Sequence, residues 1–360
     1  RYKIFKEVKL KRNGKAYFYT EACFKDVDVS ARIDGLIIIV VSGVIQDAAF
    51  LEVKNNKNKI DENQILKYYK IARDLKVGKI ITISNQFVND SSQSPISIKN
   101  QSKKVSLFHF SWTYIQTLAH LLLFENDENI VDEDQVSIMK EVLYYVQDNR
   151  SGVSGFNQMS SAWKEAAEKI RSGQTPNQQI LNDTVMSWHQ EEADMALSLS
   201  RNLGVLVKSD VQNPKNKLNN NIKILKNKHL LSCNLRVKGA VSDIKINVDF
   251  DKRMILMSVK TTPPLDKGTS SRVTWLKRQL ERFDMNENIA KNLYIEGDIK
   301  YSSKFIRFSY KDIDSFYENE FKKKDIISFR LIFMNSISSK ISSTKSFVVI
   351  IEDMILDFYK

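Results

Sequence analysis

Hydrophobic and polar positions change their spacing several times along the chain, and each change marks an element. Residues 15–24 (KAYFYTEACF) are aromatic-rich and partly alternating, which predicts a strand. Residues 32–41 (RIDGLIIIVV) form an almost unbroken β-branched run, as in a strand buried on both faces. Ser42-Gly43 is a turn signal, and residues 48–54 (AAFLEVK) predict the next strand. Over residues 61–75 the period lengthens: Ile65, Tyr68, Tyr69 and Ala72 share a helical face behind Asp61, a candidate N-cap, and Gly78 ends the segment. Residues 79–83 (KIITI) return to a strand pattern.

Residues 89–104 are polar and predict a loop. From Ser111 to about Ile170 the spacing is helical, with Trp112, Ile115, Leu118, Ala119 and Leu122 on one face and residues 131–146 repeating the pattern. After a loop at 151–156, residues 184–203 predict an amphipathic helix closed by Gly204. The Asn/Lys-rich stretch 213–228 reads as a linker or surface loop. Strands are predicted at 230–237, 244–250 and 254–259 and a helix at 272–283, with strand-like runs at 327–333 and 346–351. The expected organisation is α/β over 1–105, a helical region over 106–212 and a second α/β domain over 213–360.

Composition narrows the classes. The chain has 360 residues, 42% of them hydrophobic, with 11 Gly and 5 Pro, so it can build real cores and is neither collagen-like nor wholly disordered. Cys23 and Cys233 are the only cysteines; one disulfide is allowed by parity, but reduced thiols suit so sparse a count, and a buried apolar role is expected for Cys23. No apolar run approaches the length of a bilayer span, and Arg1–Lys6 is followed by no leader-like stretch, so a cytoplasmic location without membrane contact is expected. No Gly-rich phosphate loop and no Ser/His/Asp arrangement is legible, which argues against an autonomous ATPase or a triad hydrolase.

Charge changes the picture further. The net charge is +12, from 55 Lys and Arg against 43 Asp and Glu. It is uneven: +7 over residues 1–100, −7 over 101–200 and +10 over 201–300. Basic segments attract polyanions, chiefly through phosphate neutralisation. A Lys- and Asn-rich composition with a solvated surface gives the same totals.

The candidate chemistry lies in the first segment. Side chains alternate along a strand, so Glu52 and Lys54 project to one side while Val53 points to the other. If the two predicted strands form a hairpin, Asp34 lies beside Glu52. Two carboxylates on adjacent strands make a hard oxygen pocket suited to Mg²⁺ or Mn²⁺, with the Val53 carbonyl a further donor. Lys54 beside it can orient or deprotonate a water, or offset charge on phosphorus. Gln64 and Tyr68, at i and i+4 on the following helix, are neutral donors suited to positioning a phosphodiester backbone.

Asp34, Glu52-Val53-Lys54 and Gln64-Ile65-Leu66-Lys67-Tyr68 together resemble the PD-(D/E)xK, or restriction-endonuclease-like, nuclease superfamily. The trailing Gln-x-x-x-Tyr is similar to its RecB-like branch. The resemblance covers about residues 15–90 and departs at Ile33, where Pro often stands. It implies a mixed sheet flanked by helices. It also implies that Asp34 and Glu52 bind a divalent cation, that Lys54 assists water activation, and that Gln64 and Tyr68 support the site and contact DNA. Glu21 is the nearest candidate for a third acidic ligand. The expected function is metal-dependent hydrolysis of DNA, in defence against foreign DNA or in repair; two carboxylates and a metal do not exclude RNA. A protein partner supplying motor or sensor function, and self-association, are compatible with this expectation. The alternative is a non-catalytic nucleic-acid-binding or assembly subunit.

Other features are weaker. His189–Asp194 (HQEEAD) reads as a solvated helix face, and His109, His120 and His229 as satisfied core or surface residues. Lys260, Lys267, Arg272, Lys277, Arg278 and Arg282 surround Trp275 and could grip a nucleic-acid backbone, although Trp275 also fits a core stripe. Asp249, Ser258-Val259-Lys260 and Gln279 faintly echo the first segment, as a decayed duplicate would.

Overall fold

A computed structural model gives the fold and describes residues 2–56, 58–88, 91–92, 94–96, 98, 104–124, 133–209, 214–283, 285, 287–316 and 324–359. The chain forms two compact units, Arg1–Phe156 and Asn157–Lys360. Most of the predicted 89–104 loop lies outside the described residues.

The first unit contains α1 (Tyr2–Glu7), β1 (Lys15–Phe24), β2 (Asp28–Val41), β3 (Val44–Val53), α2 (Glu62–Asp74), β4 (Lys79–Ser84), β5 (Ser106–Ser111), α3 (Trp112–Phe124) and α4 (Glu133–Gln147). Its five-stranded sheet runs in the order β1-β2-β3-β4-β5. The first three strands are antiparallel, while β4 and β5 run parallel to β3. Ser42 and Gly43 turn the β2–β3 hairpin with φ of 50° and 78°, the left-handed pair that matches strand twist. A parallel neighbour needs a crossover, and α2 supplies it between β3 and β4. The unbroken apolar runs are explained by burial on both faces. Leu36, Phe50, Ile80 and Leu107 pack with Ile65, Tyr68 and Ile71 of α2. Ile37, Ile39, Ala49, Ile81 and Phe108 pack on the other face with Phe5 and Val8.

The second unit contains α5 (Ser161–Arg171), α6 (Gln178–Leu203), β6 (Lys208–Ser209), α7 (Pro214–Lys228), β7 (Leu230–Arg236), β8 (Ile244–Asp249), β9 (Met254–Thr261), α8 (Thr269–Leu280), α9 (Glu287–Asn292), β10 (Leu293–Ile299), β11 (Phe305–Ser309), α10 (Ile313–Phe316), β12 (Ile326–Ser336) and α11 (Thr344–Tyr359). Its seven-stranded sheet has the order β11-β10-β12-β9-β8-β7-β6, and each neighbouring pair is antiparallel. Trp163, fully buried, anchors the helical side: its ring lies 4.5 Å from Phe347 and 5.0 Å from Phe250, and its Nε1 donates to the Ile341 carbonyl at 2.7 Å. Among the described residues no helix is long and apolar enough to cross a membrane.

Several expectations change. Ser106–Ser111, unassigned in sequence, is the strand that completes the first sheet, so the boundary expected at residue 105 precedes β5 and that at 212 lies inside the second unit. Residues 214–228 of the Asn/Lys-rich stretch form the helix α7: Ile222 and Leu225 are buried, as are Lys217 and Asn221, and composition masked their spacing. The 346–351 run belongs to α11, where Phe347, Val348, Ile351, Met354 and Ile355 keep helical spacing and override β-branched propensity. Cys23 is exposed rather than buried, and both cysteines are free. The acidic run on α6 is buried, not solvated: Glu191 and Glu192 have no exposure, and His189 and Asp194 almost none.

Burial has a cost for these acids. Glu191 is pushed well above the usual carboxylate range by burial, then by Glu352 and Asp194. Burial, then Asp194 and Asp353, raise Glu352 from 4.5 to about 7, with Arg201 pulling the other way. Between these values the folded unit holds a proton that the unfolded chain has lost, so stability is full below about pH 4.5 and declines as pH rises to about 7. Glu352→Gln is expected to flatten that part of the urea-midpoint profile against pH; an unchanged slope would contradict the assignment.

Candidate active site

The hairpin β2–β3 brings the first pair of carboxylates together. Its last ladder pair is Gly35 with Leu51, and one step further Asp34 faces Glu52. Beyond that point Asp34 Oδ2 accepts the Val53 N–H at 2.8 Å, so a side chain replaces the strand carbonyl and ties β2 to the end of β3. Glu52 has no exposure. Its Oε2 accepts the Tyr68 hydroxyl at 2.6 Å, and the Lys54 ammonium lies 2.5 Å from Oε1. Among the described residues the Lys54 ammonium is the one group paired with Oε1. Burial raises the Glu52 carboxyl above its ordinary range, with Asp34 adding to the effect, while Lys54 and Tyr68 draw it down. Desolvation dominates because an ion leaving water loses more than two partners return.

Tyr68 reaches Glu52 because α2 begins where the chain requires. Asp61 caps the helix, accepting the Asn63 N–H at 2.8 Å, and Ile65, Tyr68 and Ala72 then face the sheet. The Tyr68 ring meets Phe50 edge-on at 6.4 Å, while its oxygen accepts from Gln64 Nε2 at 3.2 Å and lies 3.0 Å from the Arg32 carbonyl. Burial and then the Glu52 carboxylate raise the phenol's pKa, so it stays a donor. Lys54 is held through its main chain: its N–H donates to the Ile83 carbonyl at 2.8 Å, and its carbonyl accepts Trp112 Nε1 at 2.9 Å. Its side chain is one quarter exposed.

Asp34, Glu52, Val53, Lys54, Gln64 and Tyr68 are therefore brought together. Glu21 is placed differently. By register it faces Asp34, but its φ of 54° departs from strand geometry, and its carboxylate pairs with Arg32 at the surface. Among the described residues no group of three or more His, Cys, Asp or Glu is arranged to hold a metal ion.

Sequence reasoning missed the continuation of the row. Glu52 pairs in register with Thr82 of β4, and Thr82 with His109 of β5. Both are fully buried. His109 Nδ1 lies 2.8 Å from the Thr82 hydroxyl and Nε2 lies 2.8 Å from the Gln86 carbonyl. The Thr82 hydroxyl is also 3.0 Å from the Phe108 carbonyl. Burial lowers His109 to about 4, so the ring is neutral at neutral pH. The available signal was a polar residue inside each of two otherwise apolar strands, KIITIS and SLFHFS.

The remaining candidates resolve without joining this site. Arg272 is buried, donating to Asp325 and to the carbonyls of Ile326 and Leu265, so it is structural. Lys277 pairs with Asp314, and Trp275 packs with Val273, Leu276 and Leu280. Ser258 and Lys260 stand in an antiparallel sheet whose topology differs from the first, which removes the duplicate reading. A cleft of about 710 Å³ in the second unit, near Trp275, Phe283 and Phe358, contains none of the carboxylate-site residues. No protein family, curated protein or solved structure matches the chain.

The short bond to Glu52 yields a test. Tyr68→Phe removes the hydroxyl while keeping the ring, leaving buried Glu52 Oε2 without its donor. A loss of about 1–3 kcal/mol in urea unfolding is expected. A change below about 0.5 kcal/mol would mean that water or another group satisfies that oxygen equally well.

Proposed function

We propose that the chain is a divalent-metal-dependent DNA nuclease hydrolysing phosphodiester bonds, with Mg²⁺ or Mn²⁺ as cofactor, in defence against foreign DNA or in DNA repair. The reading is carried by one observation: Asp34, Glu52 and Lys54 meet on neighbouring strands, with Tyr68 and Gln64 behind them. The donors are of the right kind for a hard cation, being two carboxylates and a main-chain carbonyl. Asp34, Glu52 and the Val53 carbonyl would hold the ion, with Glu21 as a further acid if its pairing to Arg32 opens. When bound, such an ion acidifies a water and offsets charge on the phosphoryl oxygens.

The protein's own groups do the rest. Lys54, tethered at both main-chain ends and partly exposed, orients the attacking water and balances charge developing on phosphorus. Tyr68 fixes the rotamer of Glu52, and Gln64 fixes Tyr68 while offering an amide to the substrate backbone.

The second reading, a non-catalytic nucleic-acid-binding or assembly subunit, is favoured by a specific observation. Glu52 is sealed from solvent, with one oxygen taken by Tyr68 and the other by the Lys54 ammonium. A working site needs Lys54 to swing aside.

Incubation with plasmid and linear DNA, with and without Mn²⁺, separates the two. Wild type is expected to cut only with the metal, and Glu52→Ala or Lys54→Ala to lose about 100-fold or more in rate while keeping the fold. Equal cutting by both mutants would refute the assignment. Salt-sensitive binding with no hydrolysis by wild type selects the binding subunit, and a parallel RNA arm decides the sugar.

A further inference from the structure

The seven-stranded sheet of the second unit carries a row of charged side chains across its strands. Register pairs Lys208 of β6 with Arg236 of β7. Arg236 reaches Asp243, the residue before β8, at 3.4 Å. On the other side Lys260 of β9 pairs with Arg330 of β12, Arg330 with Glu296 of β10, and Glu296 with Arg307 of β11. Cross-strand partners project from the same face, so these residues form one line. At about 4.8 Å between strands, the six steps from β6 to β11 span about 29 Å. The next row on that face is polar for most of its length, with Asn234, Lys245, Ser258, Tyr294 and Ser309 in register around Ile332.

Five members of the line are cations and two are carboxylates, which an ordinary ladder of cross-strand ion pairs does not require. Their depths differ as well. Glu296 is 1% exposed and lies beneath two guanidinium groups: Arg307 closely, and Arg330 at 2.8 Å. The outer ends of both arginines stay open, at 41% and 39% exposure. A buried carboxylate under a guanidinium fixes its plane and leaves the outward N–H donors aimed at solvent. Lys260, paired with Asp298 at 2.8 Å, is half exposed, and Arg236 is 69% exposed. Arg307 also stacks over the exposed ring of Phe305, its guanidinium carbon 5.7 Å from the centroid.

We propose that this line is a DNA-backbone contact surface, with Lys208, Arg236, Lys260, Arg330 and Arg307 each meeting a phosphate. A fixed array of cations complements the stiff anionic backbone of a duplex, and a line about 29 Å long stays within one helical turn of about 34 Å. An acidic peptide carries its charge on flexible side chains and gains less from a fixed spacing. The surface shares its ligand class with the nuclease reading, but it uses none of the residues of the carboxylate site and stands or falls separately.

The test is fluorescence-anisotropy titration of the full chain with a labelled 24-base-pair duplex across a salt series. Lys208→Ala/Arg236→Ala/Lys260→Ala is expected to weaken binding at least tenfold and to make the log–log salt slope shallower by about 2–3, near 0.9 for each phosphate contact removed. Should the triple variant lose its native circular-dichroism signal, the exposed single changes Lys208→Ala and Arg236→Ala serve, each lowering the slope by about 0.9. Lys164→Ala, an exposed cation of α5 outside both the line and the carboxylate site, should bind as wild type, and titration without divalent metal keeps the readout independent of cutting. The proposal is overturned by a folded variant with wild-type affinity and slope. It is overturned equally by no duplex binding to wild type at low salt, or by poly-glutamate displacing the duplex at equal charge.

Discussion

A carboxylate with no exposure, on the third strand of a five-stranded sheet, sets the terms for everything around it. Glu52 is stable there only because a phenol donates to one oxygen and an ammonium sits beside the other. The phenol requires α2 in register, the register requires the Asp61 cap, and the ammonium requires a strand end pinned by Ile83 and Trp112. Replacing Glu52 with an apolar residue of similar size would spare the desolvation cost. A carboxylate in so expensive a place is the observation on which the proposed chemical role rests.

The two sheets treat polar side chains in opposite ways. In the first, Asp34, Glu52, Thr82 and His109 line up beneath a helix, mostly out of water, where electrostatic effects are large and partners are few. In the second, the charged line is largely at the surface, where single ion pairs count for little and only the sum matters to a partner. The first sheet thus concentrates a few buried polar groups, and the second spreads charge along its surface.

Much of the first unit was legible because its strands are long, apolar and separated by strong turn signals. Ser42-Gly43, the Asp61 cap and the spacing of Ile65, Tyr68 and Ala72 are all local. The Asp34–Glu52–Lys54 grouping followed from alternation alone, once a hairpin was assumed. What stayed hidden depends on distant partners. The burial of Glu191 and Glu192 follows from what packs over α6, which no window of sequence contains. α7 was lost to composition, since Asn and Lys outweigh the apolar positions that bury it. α11 was misjudged because a six-residue window of Phe, Val and Ile reads as strand when its sixteen-residue context is ignored. The cationic line in the second sheet spans residues 208–330 and exists only through register.

The far end of the inner row has an arithmetic of its own. The Gln86 carbonyl can only accept, so the hydrogen of neutral His109 must sit on Nε2 and the other nitrogen must receive. Thr82 then has one hydrogen for two claimants, the imidazole and the Phe108 carbonyl. Three acceptor seats share two hydrogens, and one seat is always short. An imidazolium would fill all three without moving a heavy atom, so this corner is already shaped for a proton that burial keeps away at neutral pH.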